Sequence, residues 1–179
     1  MADFVITFNQ DRCINCYACE THCKAKNHVP EGARLGQLIS VGPVNRGGKP
    51  RILNMYMTCF HCAQPWCVGA CPTGAMMRRE DGIVYVDQDL CVGCKACIQA
   101  CPWRIPQWDS LQGKVVKCDY CRDRIDRGQK PACVDACCGH ALEFKEANDA
   151  SADARRSYAE KALLKTNDPH AVFAAARKA

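Results

Sequence analysis

Two stretches of alternating apolar and polar residues each lead into a run of cysteines. Ile6-Thr7-Phe8-Asn9-Gln10-Asp11-Arg12-Cys13 and Val84-Tyr85-Val86-Asp87-Gln88-Asp89-Leu90-Cys91 align position for position, and their period of two predicts a short strand in each. A second echo marks where the chain leaves a cysteine run: Cys71-Pro72-Thr73-Gly74-Ala75-Met76 against Cys137-Cys138-Gly139-His140-Ala141-Leu142. Pro72 and Pro102 are expected to end the short helix carrying the preceding cysteine, and Gly74 and Gly139 to permit a tight exit turn. The Gly- and Pro-rich segment from Gly32 to Lys49 predicts a hairpin or an interaction loop. After residue 147 alanine and charged residues take over, which predicts a C-terminal helical tail over 147–179. Asp168-Pro169 suits the N-cap and first position of a final helix. Such a tail either docks on a partner or is a solvated helix. No window approaches about 18 uninterrupted apolar residues, so no transmembrane segment is expected.

Composition sharpens this picture, because 17 of the 179 residues are cysteine. Disulfides, zinc sites and iron-sulfur clusters compete to explain so many thiols. A disulfide framework fits poorly, since the count is odd, the chain is long for a stapled mini-protein, and Met1 to Gln10 has no positive n-region or long apolar stretch. On that segment no export signal is expected, and a cytoplasmic location is favoured. Export attached to a signal-bearing partner remains open.

Spacing separates the other two. Cys13, Cys16, Cys19 and Cys23 have gaps of two, two and three residues, and Cys91, Cys94, Cys97 and Cys101 repeat them before Pro102. In this bacterial ferredoxin run three close thiolates cap one cube and the fourth reaches the neighbouring cube. Cys59, Cys62, Cys67 and Cys71 widen one gap but keep the terminal three-residue gap and Pro72; Cys118, Cys121, Cys133 and Cys137 insert a longer loop. Alone, the last group reads equally as a zinc pattern; beside the first and third, clusters are the better explanation. Cys138 is left over, and is read as a spectator because Cys137 keeps the three-residue gap; competition with Cys137 is the alternative.

The formal charge of +5 treats every cysteine as neutral. Sixteen thiolates around four 2+ cores would contribute about −8, leaving the holoprotein near −3. The basic residues therefore either balance clusters or are a scattered, solvated set, and the charge does not require nucleic acid. His22 and His61 adjoin cysteines in groups already holding four thiolates, so each is assigned a surface or supporting role. Trp66, Trp103 and Trp108 are expected to pack against clusters and exclude water. No Gly-rich phosphate loop, Ser-centred elbow or helical His pair is present, so no catalytic residue is assigned.

Four segments carry a resemblance: Cys23-Lys-Ala-Lys-Asn-His-Val-Pro-Glu-Gly32, Thr58-Cys-Phe-His-Cys-Ala-Gln-Pro-Trp-Cys67, Cys71-Pro-Thr-Gly-Ala75 and Lys117-Cys-Asp-Tyr-Cys-Arg-Asp-Arg124. Over roughly residues 4 to 146 the chain resembles the four-cluster ferredoxin-like subunits of molybdenum and tungsten pterin oxidoreductases, in the DMSO reductase superfamily. The resemblance implies an α+β fold of two ferredoxin-like lobes within a four-cluster domain, 1–146. One lobe comes from about 1–30 and 112–146, the other from about 54–111, with a connecting insertion at 31–53. It implies four 4Fe-4S clusters, on Cys13, Cys16, Cys19 and Cys137; on Cys118, Cys121, Cys133 and Cys23; on Cys59, Cys62, Cys67 and Cys101; and on Cys91, Cys94, Cys97 and Cys71. Some members replace the second cysteine of the third group by tryptophan and carry a three-iron cluster, whereas this chain keeps Cys94. The implied role is electron relay for a large molybdenum- or tungsten-pterin catalytic subunit, with a membrane anchor or another electron carrier as the further partner.

A free-standing polyferredoxin and a multi-zinc structural or nucleic-acid-binding module are the alternatives. Metal ligation supplies much of the folding free energy in such a chain. Chelating the iron is expected to collapse the far-ultraviolet circular dichroism of the holoprotein, and a native spectrum after complete iron removal would contradict this.

Overall fold

The structure is a computed structural model describing residues 3–166, with only the backbone at 165 and 166. Elements run in the order β1 (Phe4–Phe8), α1 (Ala18–Lys26), β2 (Gln37–Arg46), β3 (Lys49–Met57), α2 (Trp66–Gly69), β4 (Met76–Arg78), β5 (Val84–Val86), α3 (Ala96–Ala100), β6 (Gln107–Asp109), β7 (Lys114–Val116), α4 (Arg122–Ile125), α5 (Ala132–Asp135), β8 (Leu142–Glu146) and α6 (Ala147–Thr166). The tail is therefore helical from Ala147 to Thr166, while Asp168-Pro169 lies outside the described residues. No helix among those described is long and apolar enough to cross a membrane.

Among the described residues all four sheets are antiparallel pairs. β1, rich in β-branched and aromatic residues, pairs with β8 from the far end of the cysteine region, Phe4 opposite Glu146 and Phe8 opposite Leu142. β4 pairs with β5, Met76 opposite Val86. The strand entering the first cysteine group thus pairs with the strand leaving the fourth, and the strand leaving the second with that entering the third. Apolar side chains seal each pair. Ile6, Phe8, Leu142 and Phe144 pack with Leu38, Tyr56 and Val134, while Met76, Val84 and Val115 pack with Val86 and Trp108.

The β2–β3 hairpin spans Gln37–Met57, running further than the 31–53 insertion and past Lys49. It is fixed to α1 by the buried Glu20 carboxylate, which accepts the Leu38 N–H at 3.1 Å and pairs with Arg34 at 2.7 Å. Similarly β6 and β7 form one hairpin, Gln107 opposite Val116. Asp3 N–H to Asp81 C=O ties the start of β1 to the β4–β5 turn, and the two-pronged Arg79–Asp126 pair ties that turn to the end of α4.

The exit turns differ from expectation at one glycine. Gly74 has φ +69° and makes its turn as predicted, whereas after Cys137 the left-handed residue is His140, φ +48°. Gly139 is needed for another reason: a Cβ there would lie 2.7 Å from the Arg12 carbonyl oxygen. Cys101 caps α3 and Cys71 follows Ala70, the cap of α2, so these cysteines sit just beyond their helices rather than within them.

Gly36 makes the closest approach, since a Cβ would fall 2.0 Å from Tyr56 Oη. Tyr56 is buried, so it cannot swing into solvent without opening the core. Gly36→Ala is expected to cost about 1–3 kcal/mol by overpacking, read as a lower guanidinium midpoint for cluster bleaching; an unchanged midpoint would contradict this packing.

Candidate metal centres

Three of the four cysteine quartets ring separate cavities. Cys13, Cys16 and Cys19 meet Cys137 around one, closed by Phe8, Leu38 and Leu142. Cys59, Cys62 and Cys67 meet Cys101 around another, beside Phe60, Ile105 and Lys117. Cys91, Cys94 and Cys97 meet Cys71 around a third, beside Val86, Val92 and Val115. The remaining sulfurs, Cys23, Cys118, Cys121 and Cys133, are all buried, and Cys23 lies within electrostatic reach of the other three. In each set three cysteines come from one segment and one from a distant segment. Cys133 also feels Cys19, Cys118 feels Cys59, and Cys97 feels Cys67, so neighbouring quartets adjoin in sequence along a row.

The loops achieve this by one backbone device. The residue before the second cysteine of each group is left-handed: Asn15 (φ +58°), His61 (+44°), Gly93 (+69°) and Tyr120 (+56°). Gly adopts this freely and Asn and His more readily than most residues, whereas for Tyr it stores local strain. Such turns direct successive N–H groups into a concavity that suits an anionic, sulfur-rich group. Gly93 is doubly constrained, because a Cβ would meet the Gly113 carbonyl oxygen at 2.3 Å.

The sulfurs surround a space instead of converging on a point. Among the described residues no three His, Cys, Asp or Glu side chains are close enough to hold a lone metal ion. Buried Tyr56 Oη sits against Cys133, with Cys23 and Cys118 near enough to oppose its ionisation. Sulfurs that ring a space, with a buried hydroxyl beside them, fit a cube better than a tetrahedral zinc.

Comparison with known proteins agrees. Residues 52–147 match the model of a 4Fe-4S dicluster domain, and residues 10–26 that of a 4Fe-4S binding domain. The sequence is 38% identical over 152 residues to the B subunit of the anaerobic dimethyl sulfoxide reductase of Haemophilus influenzae, covering 80% of this protein and 74% of the relative. It is 39% identical to a thiosulfate reductase electron transfer subunit of Salmonella typhi, covering 79% and 74%. The B subunit of the polysulfide reductase of Wolinella succinogenes is 35% identical, covering 89% and 85%.

The chain belongs to this family of 4Fe-4S electron-transfer subunits. Its cysteines show why such a subunit needs metal. Burial, reinforced by Cys137, Cys13 and Cys16, pushes the Cys19 thiol up to about 12. Burial and neighbouring sulfurs push Cys97 up to about 11 and Cys133 up to about 12, the latter despite Tyr56. Thiols so raised are neutral near pH 7 without a cationic core, so loading the iron-sulfur subunit must release protons. N–H groups offset part of this repulsion: Ala141 N lies 3.2 Å from Cys137 Sγ and His61 N 3.4 Å from Cys59 Sγ.

The histidines, the tryptophans and Cys138 take different places around these loops, and only the two outward tryptophans depart from expectation. His22 is on the surface, but His61 is fully buried, with Nδ1 accepting the Val84 N–H at 2.8 Å and its ring 3.8 Å from that of Tyr120. Burial, with Lys117 nearby, pushes His61 down to about 2, so it is a neutral support. Of the tryptophans only Trp108 is partly buried; Trp66 and Trp103 are 64% and 57% exposed because they stand on the outer rim of their loops, beside Pro65 and Pro102. Cys138 is exposed, outside the cavity that Cys137 lines, with Sγ 3.7 Å from Cys16 Sγ. Cys138→Ala is expected to retain the iron of the wild type, and Cys137→Ala to lose about four irons. The reverse pattern in elemental analysis would make Cys138 the ligand.

Proposed function

We propose that this electron-transfer subunit holds four 4Fe-4S clusters on sixteen cysteines and connects a pterin-dependent catalytic subunit to a second redox partner. The ligand sets are Cys13, Cys16, Cys19 and Cys137; Cys23, Cys118, Cys121 and Cys133; Cys59, Cys62, Cys67 and Cys101; and Cys71, Cys91, Cys94 and Cys97. The observation that carries this reading is the three-plus-one arrangement of sulfurs around separate cavities. The first two sets form a lobe closed by β1–β8, the other two a lobe closed by β4–β5, and α6 extends beyond both.

When bound, each cluster takes up and returns one electron, at a potential set by charge, hydrogen bonds and solvent access. The polypeptide supplies order. Electrostatic coupling between sulfurs of adjacent sets supports an order of four in a row, which keeps successive transfers short. Both ends are open: Cys16 and Cys94 are exposed, next to Ile14 and Val92, each 67% exposed. Equivalent apolar residues at the two ends give a partner a dry contact beside each terminal set. Relatives named as subunits of dimethyl sulfoxide, thiosulfate and polysulfide reductases support a catalytic subunit at one end. A membrane anchor or soluble carrier would take the other.

Purified complex is expected to contain about sixteen irons with matching acid-labile sulfide per subunit, together with a large pterin-bearing polypeptide. About four zincs without sulfide, or a holoprotein isolated alone as a stable monomer, would contradict the cluster or partner assignment respectively.

A further inference from the structure

One buried charge lies where the second and third sulfur sets meet. Lys117 is 7% exposed, directly precedes Cys118 of the second set, and lines the cavity ringed by Cys59, Cys62, Cys67 and Cys101 of the third. Its ammonium donates to the Val84 carbonyl and, at 2.7 Å, to the Cys118 carbonyl. Among the described residues no carboxylate pairs with it. Two neutral carbonyls do not offset the removal of an ammonium from water, so a buried lysine in this position needs a counter-charge. The anions on hand are sulfurs: Lys117 acts on Cys67 of the third set and on Cys118 of the second. His61, the titratable ring at the same junction, is neutral and adds no charge.

We infer that Lys117 is the shared counter-cation of the second and third clusters, selectively raising the potentials of this inner pair above those they would have without it. A fixed positive charge stabilises the reduced, more negative form of a cluster more than the oxidised form, and its effect falls with distance. The two outer sets, on the far sides of their neighbours, feel it least. Lys117 thereby favours the electron at the crossing between the two halves of the row. This inference rests on the ligand assignment proposed above.

The test is a potentiometric titration of purified holoprotein followed by electron paramagnetic resonance, for wild type, Lys117→Gln and Lys117→Arg. Iron and labile sulfide are counted first. Two of four midpoint potentials are expected to fall in Lys117→Gln by at least the shift for a tenfold change in the reduction equilibrium, 59 mV for a one-electron couple. Lys117→Arg keeps the charge and is expected to keep the wild-type values. Unmoved potentials in Lys117→Gln, equal shifts in all four, or a fall in Lys117→Arg matching that in Lys117→Gln would overturn the inference. If Lys117→Gln fails to load, full loading with wild-type potentials in Lys117→Arg upholds the need for charge, and failure of both overturns it in favour of a packing role. A wild type lacking four-iron clusters instead overturns the ligand assignment beneath it.

Discussion

Cys19, Cys23, Cys97, Cys118 and Cys133 are buried together with further sulfurs, and burial pushes each thiol well above the ordinary range. So many thiolates can stay charged in so small a volume only around cationic cores, which must then be bound from several sides at once. Distant segments of the polypeptide are thereby forced into contact. The β1–β8 and β4–β5 pairings bring the fourth sulfur of one segment to the first three of another, and the apolar side chains close over what the sulfurs surround.

The rest of the architecture serves that meeting of segments. Four left-handed residues curl four loops, even at the cost of strain at Tyr120. Gly139 lets the turn after Cys137 pass the Arg12 carbonyl, and Gly36 makes room for the hydroxyl of Tyr56 beside three sulfurs. Glu20 pins the hairpin that delivers Tyr56. In this arrangement secondary structure is mostly short, because each element needs only to carry the backbone from one sulfur to the next.

Much of this was legible in the sequence where the signal is local. The alternation at Ile6–Phe8 and Val84–Val86 lies in observed strands, Gly74 makes its predicted turn, and the alanine-rich tail is helical to Thr166. Non-local contacts were hidden. Nothing near His61 reveals that Val84 N–H will meet its Nδ1 from 23 residues away, which decides between a surface and a supporting role. Trp66 and Trp103 look like packing residues in a one-dimensional string, yet their outward direction depends on which side of the loop faces the cavity. The hairpin outran its Gly- and Pro-rich segment because β3 continues to Met57 on pairing with β2, a partner that composition does not register.

The central claim is that sulfurs are exchanged between segments, three from one and one from another, around each inorganic cube. Diffraction from crystals of the holoprotein at the iron absorption edge tests it most directly. The account predicts four compact iron peaks in a row, each contacted by three cysteines of one group and the last cysteine of its partner group. Four single-ion peaks, each enclosed by the four consecutive cysteines of one group, would contradict it.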